Sequence, residues 1–133
     1  MLQVATALLF DRNGKLLIYL RDDKPEIPFP NHWDLFGGHV EEGETPEIAL
    51  VRELKEELNV DIVDYKFYKA FESKNETKTN TKFVFVVKIN QTASELTLHE
   101  GQYLRGIDLS ERDSYAFANM LGEILDDYAK SGL

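Results

Sequence analysis

Three glutamates, Glu53, Glu56 and Glu57, lie close together in the run RELKEELNV. Side chains three and four residues apart are neighbours on a helix, so a helical RELKEELNV would bring these carboxylates together. Like charges at i and i+4 cost a helix about 0.2 to 0.5 kcal/mol per pair, so we expect a positive charge between Glu53 and Glu57. Carboxylate oxygens without sulfur or clustered imidazole favour Mg²⁺ or Mn²⁺ over zinc. The alternative is a solvated acidic helix face.

The helix that carries these acids is predicted from its ends and its apolar stripe. Thr45 is a suitable N-cap, and Pro46 suits the first helical position. Leucines recur at helical spacing from Leu50 to Leu58, so one face is expected to pack on a core. Asn59 stands where a left-handed C-cap residue is wanted.

The residues before the acids follow a fixed spacing. Five residues separate Gly38 from Glu44, and seven more separate Glu44 from Arg52. This order closely resembles the Nudix box: Gly, five residues, Glu, seven residues, Arg-Glu, an aliphatic residue, any residue, Glu-Glu, any residue, Gly and an aliphatic residue. The one departure is Asn59 in place of the last glycine, and asparagine tolerates the same backbone geometry. By this resemblance the chain is identified as a member of the Nudix family.

Two further segments resemble MutT-type members of that family. The run WDLFGG at 33–38 resembles the short strand that leads into the Nudix loop, although Phe36 stands where many members carry proline. Glu100, in EGQ at 100–102, resembles an acid that many members recruit as a further metal ligand or base. The alternative for Glu100 is an ordinary exposed loop acid. The histidines show no metal-ligand spacing and are expected to be polar loop residues: His32, His39 and His99.

The resemblance implies roles for the residues of the box. Glu56 and Glu57 are expected to be the primary metal ligands, and Glu53 a third ligand or the base for a water. Arg52 is expected to hold a box carboxylate in orientation. Glu44 is expected to secure the loop onto the helix. Which glutamate acts as the base stays open.

The resemblance also implies how substrate is held. The Gly37 carbonyl is expected to complete the metal shell, and Gly37 and Gly38 let the backbone approach ion and phosphate closely. Asn119 resembles the asparagine that MutT-type enzymes use to read an oxidised guanine, with a polar helix-surface asparagine as the alternative. Several aromatic residues can stack on a base but are expected in the core: Trp33, Phe71, Phe83 and Tyr103.

The implied function is that of a metal-dependent pyrophosphohydrolase. Such an enzyme cleaves a nucleoside diphosphate linked to another moiety, for example an oxidised guanine nucleotide, to a nucleoside monophosphate plus pyrophosphate or another phosphorylated group. Metal ions would neutralise phosphate oxygens and lower the pKa of an attacking water. The alternatives are a sugar-nucleotide hydrolase of the same fold and an inactive Nudix-like regulatory domain. The intact box acids favour catalysis.

Composition restricts the partners. The chain of 133 residues, 43% hydrophobic, predicts one domain over 1–133. A net charge of −9 disfavours a nucleic acid polymer, and it also repels a free nucleotide unless a bound cation reverses the local sign. The absence of cysteine, together with an apolar start too short to span a bilayer, predicts a cytoplasmic protein without membrane contact. A monomer or homodimer is expected.

The predicted elements are mainly strands, with two helices. Strands are expected at 3–10 and 15–21, joined by a hairpin at the Asn-Gly turn, and at 60–71 and 82–89. The run at 82–89 is apolar enough for a buried central strand. The polar segment 73–81 is expected to be a loop or an extended hairpin tip, and 115–128 an amphipathic helix. The fold class is α/β, and the resemblance implies a Nudix-type α/β/α sandwich with a mixed sheet flanked by two main helices.

Overall fold

A computed structural model of the chain describes residues 2–75 and 78–131. Within them, a seven-stranded mixed sheet packs against two main helices, which confirms the predicted α/β fold. The helices are α1 (Pro46–Leu58) and α2 (Leu121–Lys130). The strands are β1 (Leu2–Phe10), β2 (Leu16–Leu20), β3 (Trp33–Asp34), β4 (Phe36–His39), β5 (Asp64–Asn75), β6 (Lys78–Lys88) and β7 (Tyr103–Ile107). Two short 3₁₀ helices cover Ala93–Glu95 and Leu109–Ser114.

The first hairpin forms as predicted, because its turn residues satisfy the turn geometry. Gly14 has a φ of 76°, in the left-handed region that glycine adopts without strain. The Asp11 carboxylate accepts hydrogen bonds from the backbone N–H of Asn13 at 2.8 Å and of Lys15 at 2.9 Å. β1 and β2 are therefore joined as an antiparallel pair.

β6 is the buried central strand that the apolar run predicted. It pairs in parallel with β1 on one side and antiparallel with β5 on the other. Side chains alternate across a strand, so Phe85 and Val87 pack on the α1 side, whereas Val84 and Val86 pack on the α2 side. The sheet therefore separates two apolar cores, one under each helix.

The strand predicted at 60–71 is displaced along the chain. β5 begins only at Asp64, because Val60 and Ile62 are buried against the α1 core outside any strand. It then continues to Asn75, which pairs with Lys78. Backbone pairing does not require apolar side chains, so most of the polar segment 73–81 forms an extended hairpin. The part of this prediction at 76–77 lies outside the described residues.

The helix predicted at 115–128 is wrong over its first six residues. α2 begins at Leu121, and the backbone before it pairs with β3 instead. The N–H of Trp33 donates to the carbonyl of Ala116, and the N–H of Ala118 donates to the carbonyl of Trp33, both at 2.8 Å. Tyr115 and Phe117 therefore precede the helix, and their spacing reflects packing against the α2 core. A few apolar residues cannot distinguish these cases.

Among the helices of residues 2–75 and 78–131, none combines the length and the apolar character that crossing a membrane requires.

Candidate active site

The helix α1 is capped at both ends as its sequence predicted. The Thr45 hydroxyl accepts a hydrogen bond from the N–H of Ile48 at 3.2 Å, and Pro46 occupies the first position. At the other end Asn59 adopts φ 55° and ψ 40°, and its N–H donates to the carbonyl of Lys55. These caps fix where the helix starts and stops, and thereby the direction of each acidic side chain.

Arg52 joins the loop before α1 to the acids on the helix. Its Nε and Nη2 donate to the two carboxylate oxygens of Glu44, at 2.7 and 2.9 Å. Nη2 also donates to the carbonyl of His39 at 3.0 Å. Nη1 donates to Glu53 at 3.0 Å and reaches Glu56 at 3.4 Å. One guanidinium therefore contacts the end of β4, a loop acid and two acids of the helix.

Glu44 is held on both sides. Besides Arg52, it accepts a hydrogen bond from the backbone N–H of Glu41 at 2.9 Å. The hydrogen bonds from Arg52, and then the one from the Glu41 N–H, lower the pKa of Glu44 to about 2. Glu44 is therefore an anion at neutral pH, and through Arg52 it links the loop to the helix.

Glu57 is a carboxylate buried among other acids. It is 4% exposed, and the N–H of Gly37 donates to its Oε1 at 3.1 Å. Burial, and then the charges of Glu100 and Glu53, raise the pKa of Glu57 to about 9, although the Gly37 N–H opposes the shift. No described lysine or arginine forms an ion pair with it. Negative charge at this position is thus poorly compensated.

The other acids surround Glu57 with different exposure. Glu53 is mostly buried, and burial raises its pKa against the opposing effect of Arg52. Glu56 is mostly exposed. Glu100 is brought to the helix because the backbone N–H of His99 donates to the carbonyl of Glu57 at 3.0 Å.

Two glycines let the backbone pass between the sheet and these acids. Gly37 has a φ of 142°, and a Cβ there would overlap the carbonyl oxygen of Ala5. A Cβ on Gly38 would overlap the carboxyl group of Glu53. Any side chain at either position would displace the groups that form the site.

The donor set fits a hard divalent cation by its chemistry. Its side-chain atoms are carboxylate oxygens, and the buried Glu57 carries charge that a cation would compensate. Within the described part of the chain, no three acidic, histidine or cysteine side chains already surround one point. The reason is that Arg52 directs Glu53 and Glu56 toward itself.

A cleft of about 450 Å³ opens beside these acids. Part of its lining, here called the acidic end, includes Gly37, Gly38, Glu53 and Glu100. A second part, here called the β6 end, consists of Asn80 and Lys82 of β6, with Asn119 and Leu121. The cleft is large enough for a small-molecule ligand.

The structure brings Asn119 to the β6 end and adds residues that the sequence did not single out. Asn119 lies just before α2, with a φ of 51°. Asn80 and Lys82 were missed. They lie on the same face as Val84, in the polar first half of β6. A polar run does not by itself show which of its residues line a cavity.

Other candidates lie elsewhere. Tyr103 is 63% exposed, so its expected place in the core is wrong, whereas Trp33, Phe71 and Phe83 pack at the edges of the cores. The histidines make backbone contacts. His32 Nδ1 lies 2.9 Å from the Pro30 carbonyl, and His99 Nδ1 lies 3.2 Å from the Glu56 carbonyl. His39 ends β4 and is not in a loop.

Known proteins resemble the chain over most of its length. Residues 2–118 match the family model of the NUDIX domain. The chain is 34% identical over 101 residues to an 8-oxo-dGTP diphosphatase of Haemophilus influenzae, covering 76% of this chain and 71% of that protein. An 8-oxo-dGTP diphosphatase of Escherichia coli is 32% identical over 71 residues, and the alignment covers 53% of this chain and about half (54%) of that relative. The solution structure of the E. coli ORF135 protein matches with a TM-score of 0.81 at 26% identity, covering 98% of this chain and 89% of that one.

Proposed function

The chain belongs to the Nudix family, and from this membership and the cleft we propose that it is a metal-dependent pyrophosphohydrolase of MutT type. Its substrate is a nucleoside diphosphate linked to another moiety. The products are a nucleoside monophosphate and pyrophosphate or another phosphorylated group.

The observation that supports this proposal most is the burial of Glu57 beside Glu53 and Glu100. Arg52, the nearby cation, is already engaged by Glu44 and does not pair with Glu57. An uncompensated acidic group at the end of a cleft, in a protein of net charge −9, repels a nucleotide unless a cation is present. A bound divalent ion reverses the local sign that the substrate meets.

We propose that Mg²⁺ or Mn²⁺ is held by Glu56 and Glu57, with Glu53, Glu100 and the Gly37 carbonyl as further oxygen donors. Such an ion would neutralise the diphosphate oxygens and make an attacking water more acidic. In this proposal Glu53 or Glu100 would be the base that accepts a proton from the attacking water.

The other residues of the loop position these groups. Arg52 keeps Glu53 oriented while its opposite edge is fixed by Glu44. Gly38 leaves room for the Glu53 carboxyl group against the backbone, because a side chain there would overlap that carboxyl group.

We propose an oxidised or normal guanine nucleotide as the substrate. The relatives from Haemophilus influenzae and Escherichia coli are 8-oxo-dGTP diphosphatases, and Asn119 lines the cleft. Hydrolysis of a sugar nucleotide is the second candidate function, because the same acids would serve to cleave its diphosphate. We propose a small nucleotide as the partner and the cytoplasm as the location, and the net charge disfavours a nucleic acid polymer.

The test is a panel of nucleoside triphosphates, dinucleotides and sugar nucleotides incubated with Mg²⁺, with the products separated by chromatography. We expect a monophosphate and pyrophosphate from a guanine triphosphate, and no turnover in excess chelator. A sugar phosphate as the main product would favour the sugar-nucleotide hydrolase. Binding without turnover would indicate a regulatory domain, and full turnover in chelator would contradict the metal site.

A further inference from the structure

Two side chains at the β6 end of the cleft have no partner that explains their burial. Lys82 is 8% exposed and forms no hydrogen bond or ion pair with the residues that the structure describes. The carboxylate of Asp34 attracts the positive charge of Lys82, but Asp34 already forms an ion pair with Arg21 at 2.8 Å. Oδ1 of Asn80 is buried and has no hydrogen-bond donor among the described residues. Buried polar groups in native proteins are nearly always paired, so a ligand is expected here.

The position of these side chains in β6 indicates which part of a ligand they meet. Alternation along the strand puts Asn80 and Lys82 on the same face as Val84, which packs on the α2 side. The helix α1, which carries the acids, packs on the opposite side of the sheet. A diphosphate held near Glu57 would therefore leave its nucleoside, and not its phosphates, beside Lys82.

The hydrogen-bonding capacity of the pair selects a chemical group. A lysine ammonium has three N–H donors and no acceptor, so Lys82 requires an oxygen or a ring nitrogen acceptor on the ligand. The amide of Asn80 has an acceptor oxygen that lacks a donor. A ligand that satisfies both presents a hydrogen-bond acceptor next to an N–H donor.

Nucleobases present this combination in two orders. Oxo bases have a lactam edge, an exocyclic carbonyl acceptor beside a ring N–H donor: guanine, hypoxanthine, uracil and thymine have one, and an 8-oxopurine has another at positions 7 and 8. Adenine and cytosine have the reverse order, an exocyclic amino donor beside a ring nitrogen acceptor. With Lys82 at the exocyclic group and Asn80 at the ring, an oxo base pairs donor with acceptor at both positions, whereas an amino base places donor against donor.

We propose that Lys82 and Asn80 read the lactam edge of the substrate's base, with Lys82 donating to the carbonyl oxygen and Asn80 accepting from the ring N–H. This inference rests on the proposed nucleotide substrate and makes the enzyme selective for oxo bases over amino bases. Asn119 lines the same end of the cleft and is available for a third contact.

The test uses nucleoside monophosphates, which are products and are not consumed, in Mg²⁺ buffer. Three pairs differ at one edge of the base: IMP and AMP, UMP and CMP, and 8-oxo-dGMP and dGMP. Binding is followed by the fluorescence of Trp33, the one tryptophan of the chain. In at least one pair we expect the oxo member to bind about tenfold more tightly. Equal binding in every pair, or no binding at millimolar concentration, overturns the proposal.

Variants then assign the preference to Lys82. Lys82→Met keeps the length of the side chain but removes its donors, so the tenfold preference should fall to near one. Lys88→Met is the matched control, because Lys88 is exposed at the other end of the same strand, and it should keep the wild-type ratio. Asn80→Leu should reduce the ratio as well. A preference that survives Lys82→Met, or that Lys88→Met also loses, overturns the assignment.

Two readouts separate this inference from a structural role and from the proposed function. A methionine needs no hydration, so Lys82→Met should melt at or above the wild-type temperature while its base preference is lost. A lower melting temperature with an unchanged preference would make Lys82 structural. Turnover without any oxo preference refutes only the present inference, whereas oxo preference without turnover refutes only the hydrolase.

Discussion

The acidic end and the β6 end of the cleft are built in opposite ways. Apart from Glu100, the acidic end comes from one continuous stretch, Gly37 to Glu57, in which a loop and a helix set the side chains. The β6 end combines Asn80 and Lys82 with Asn119, which the sheet and the segment before α2 bring together. Local helix geometry fixes the first set, whereas long-range pairing fixes the second. Residues at the β6 end can therefore change between proteins, and with them the substrate, while the acidic end keeps the chemistry that many substrates share.

The largest effect is expected at the acidic end. Glu57→Gln or Glu56→Gln keeps the shape of the side chain but loses the charge that would hold the ion. Several kcal/mol of transition-state stabilisation would be lost, which corresponds to roughly a 10³-fold lower kcat. The loss should be equal for all bases, as measured by steady-state kinetics at saturating Mg²⁺.

Glu47→Gln is the control, because Glu47 is an exposed glutamate on the same helix, and its kcat should match the wild type. Circular dichroism should show that the variants stay folded. Wild-type rates in both box variants would mean that the metal lies elsewhere.

Substitutions at the β6 end should change the preference of the enzyme among bases. Asn119→Ala leaves a base group unpaired at a cost of about 1 to 3 kcal/mol, which is roughly a 5- to 150-fold loss. The loss should appear in kcat/KM for guanine nucleotides and much less for pyrimidine ones, because phosphate and metal contacts are unchanged. Asn90→Ala, on the exposed surface, serves as the control. Equal losses for all bases would remove Asn119 from base recognition.

A smaller effect is expected from the residue that orients the acids. Lysine cannot bind both oxygens of Glu44 and also reach Glu53, so Arg52→Lys should weaken the orientation of the box acids. Loss of such a supporting contact typically costs about 10- to 100-fold in metal affinity or activity. The Mg²⁺ dependence of the rate should shift to higher concentration, with the base profile unchanged. A changed base profile with a normal Mg²⁺ dependence would contradict this role.

The smallest effect concerns stability without metal. The pKa of Glu57 is about 9 in the folded chain, above the ordinary 4.5, so the folded state retains a proton that the unfolded state has lost. The contribution of Glu57 to stability is full below pH 4.5 and is lost as the pH rises toward 9.

Glu57→Gln has no such dependence, so in chelator its melting temperature should exceed the wild type increasingly from pH 5 to pH 8. The difference in unfolding free energy should exceed about 1 kcal/mol at the higher pH. Added Mg²⁺ should stabilise only the wild type and reverse the order. A difference that is constant with pH would contradict the burial of this charge.

The same contrast between the two ends governs what the sequence could predict. The helix from Pro46 to Leu58 and its Asn59 cap follow from residues within a few positions of each other, and both are observed. The buried strand β6 was likewise predictable from its continuous apolar run. Lys82 was not identified, because its importance depends on a cavity formed with α2 and β1, which no local pattern encodes. The start of α2 was missed for a related reason, since β3 pairs with the residues around Phe117.

The parallel pairing of β1 with β6 has a consequence for folding during synthesis on the ribosome. Leu2 lies opposite Asn80 and Phe10 opposite Lys88. During synthesis β1 therefore lacks its parallel partner until β6 has been made. Until β6 emerges, the apolar residues Leu8 and Leu9 lack the neighbour that covers one edge of their strand, which invites aggregation or chaperone binding. The β6 end of the cleft also includes Asn119 and Leu121, so a chain truncated before residue 121 lacks part of it. Ligand binding at that end therefore reports that synthesis has passed Leu121.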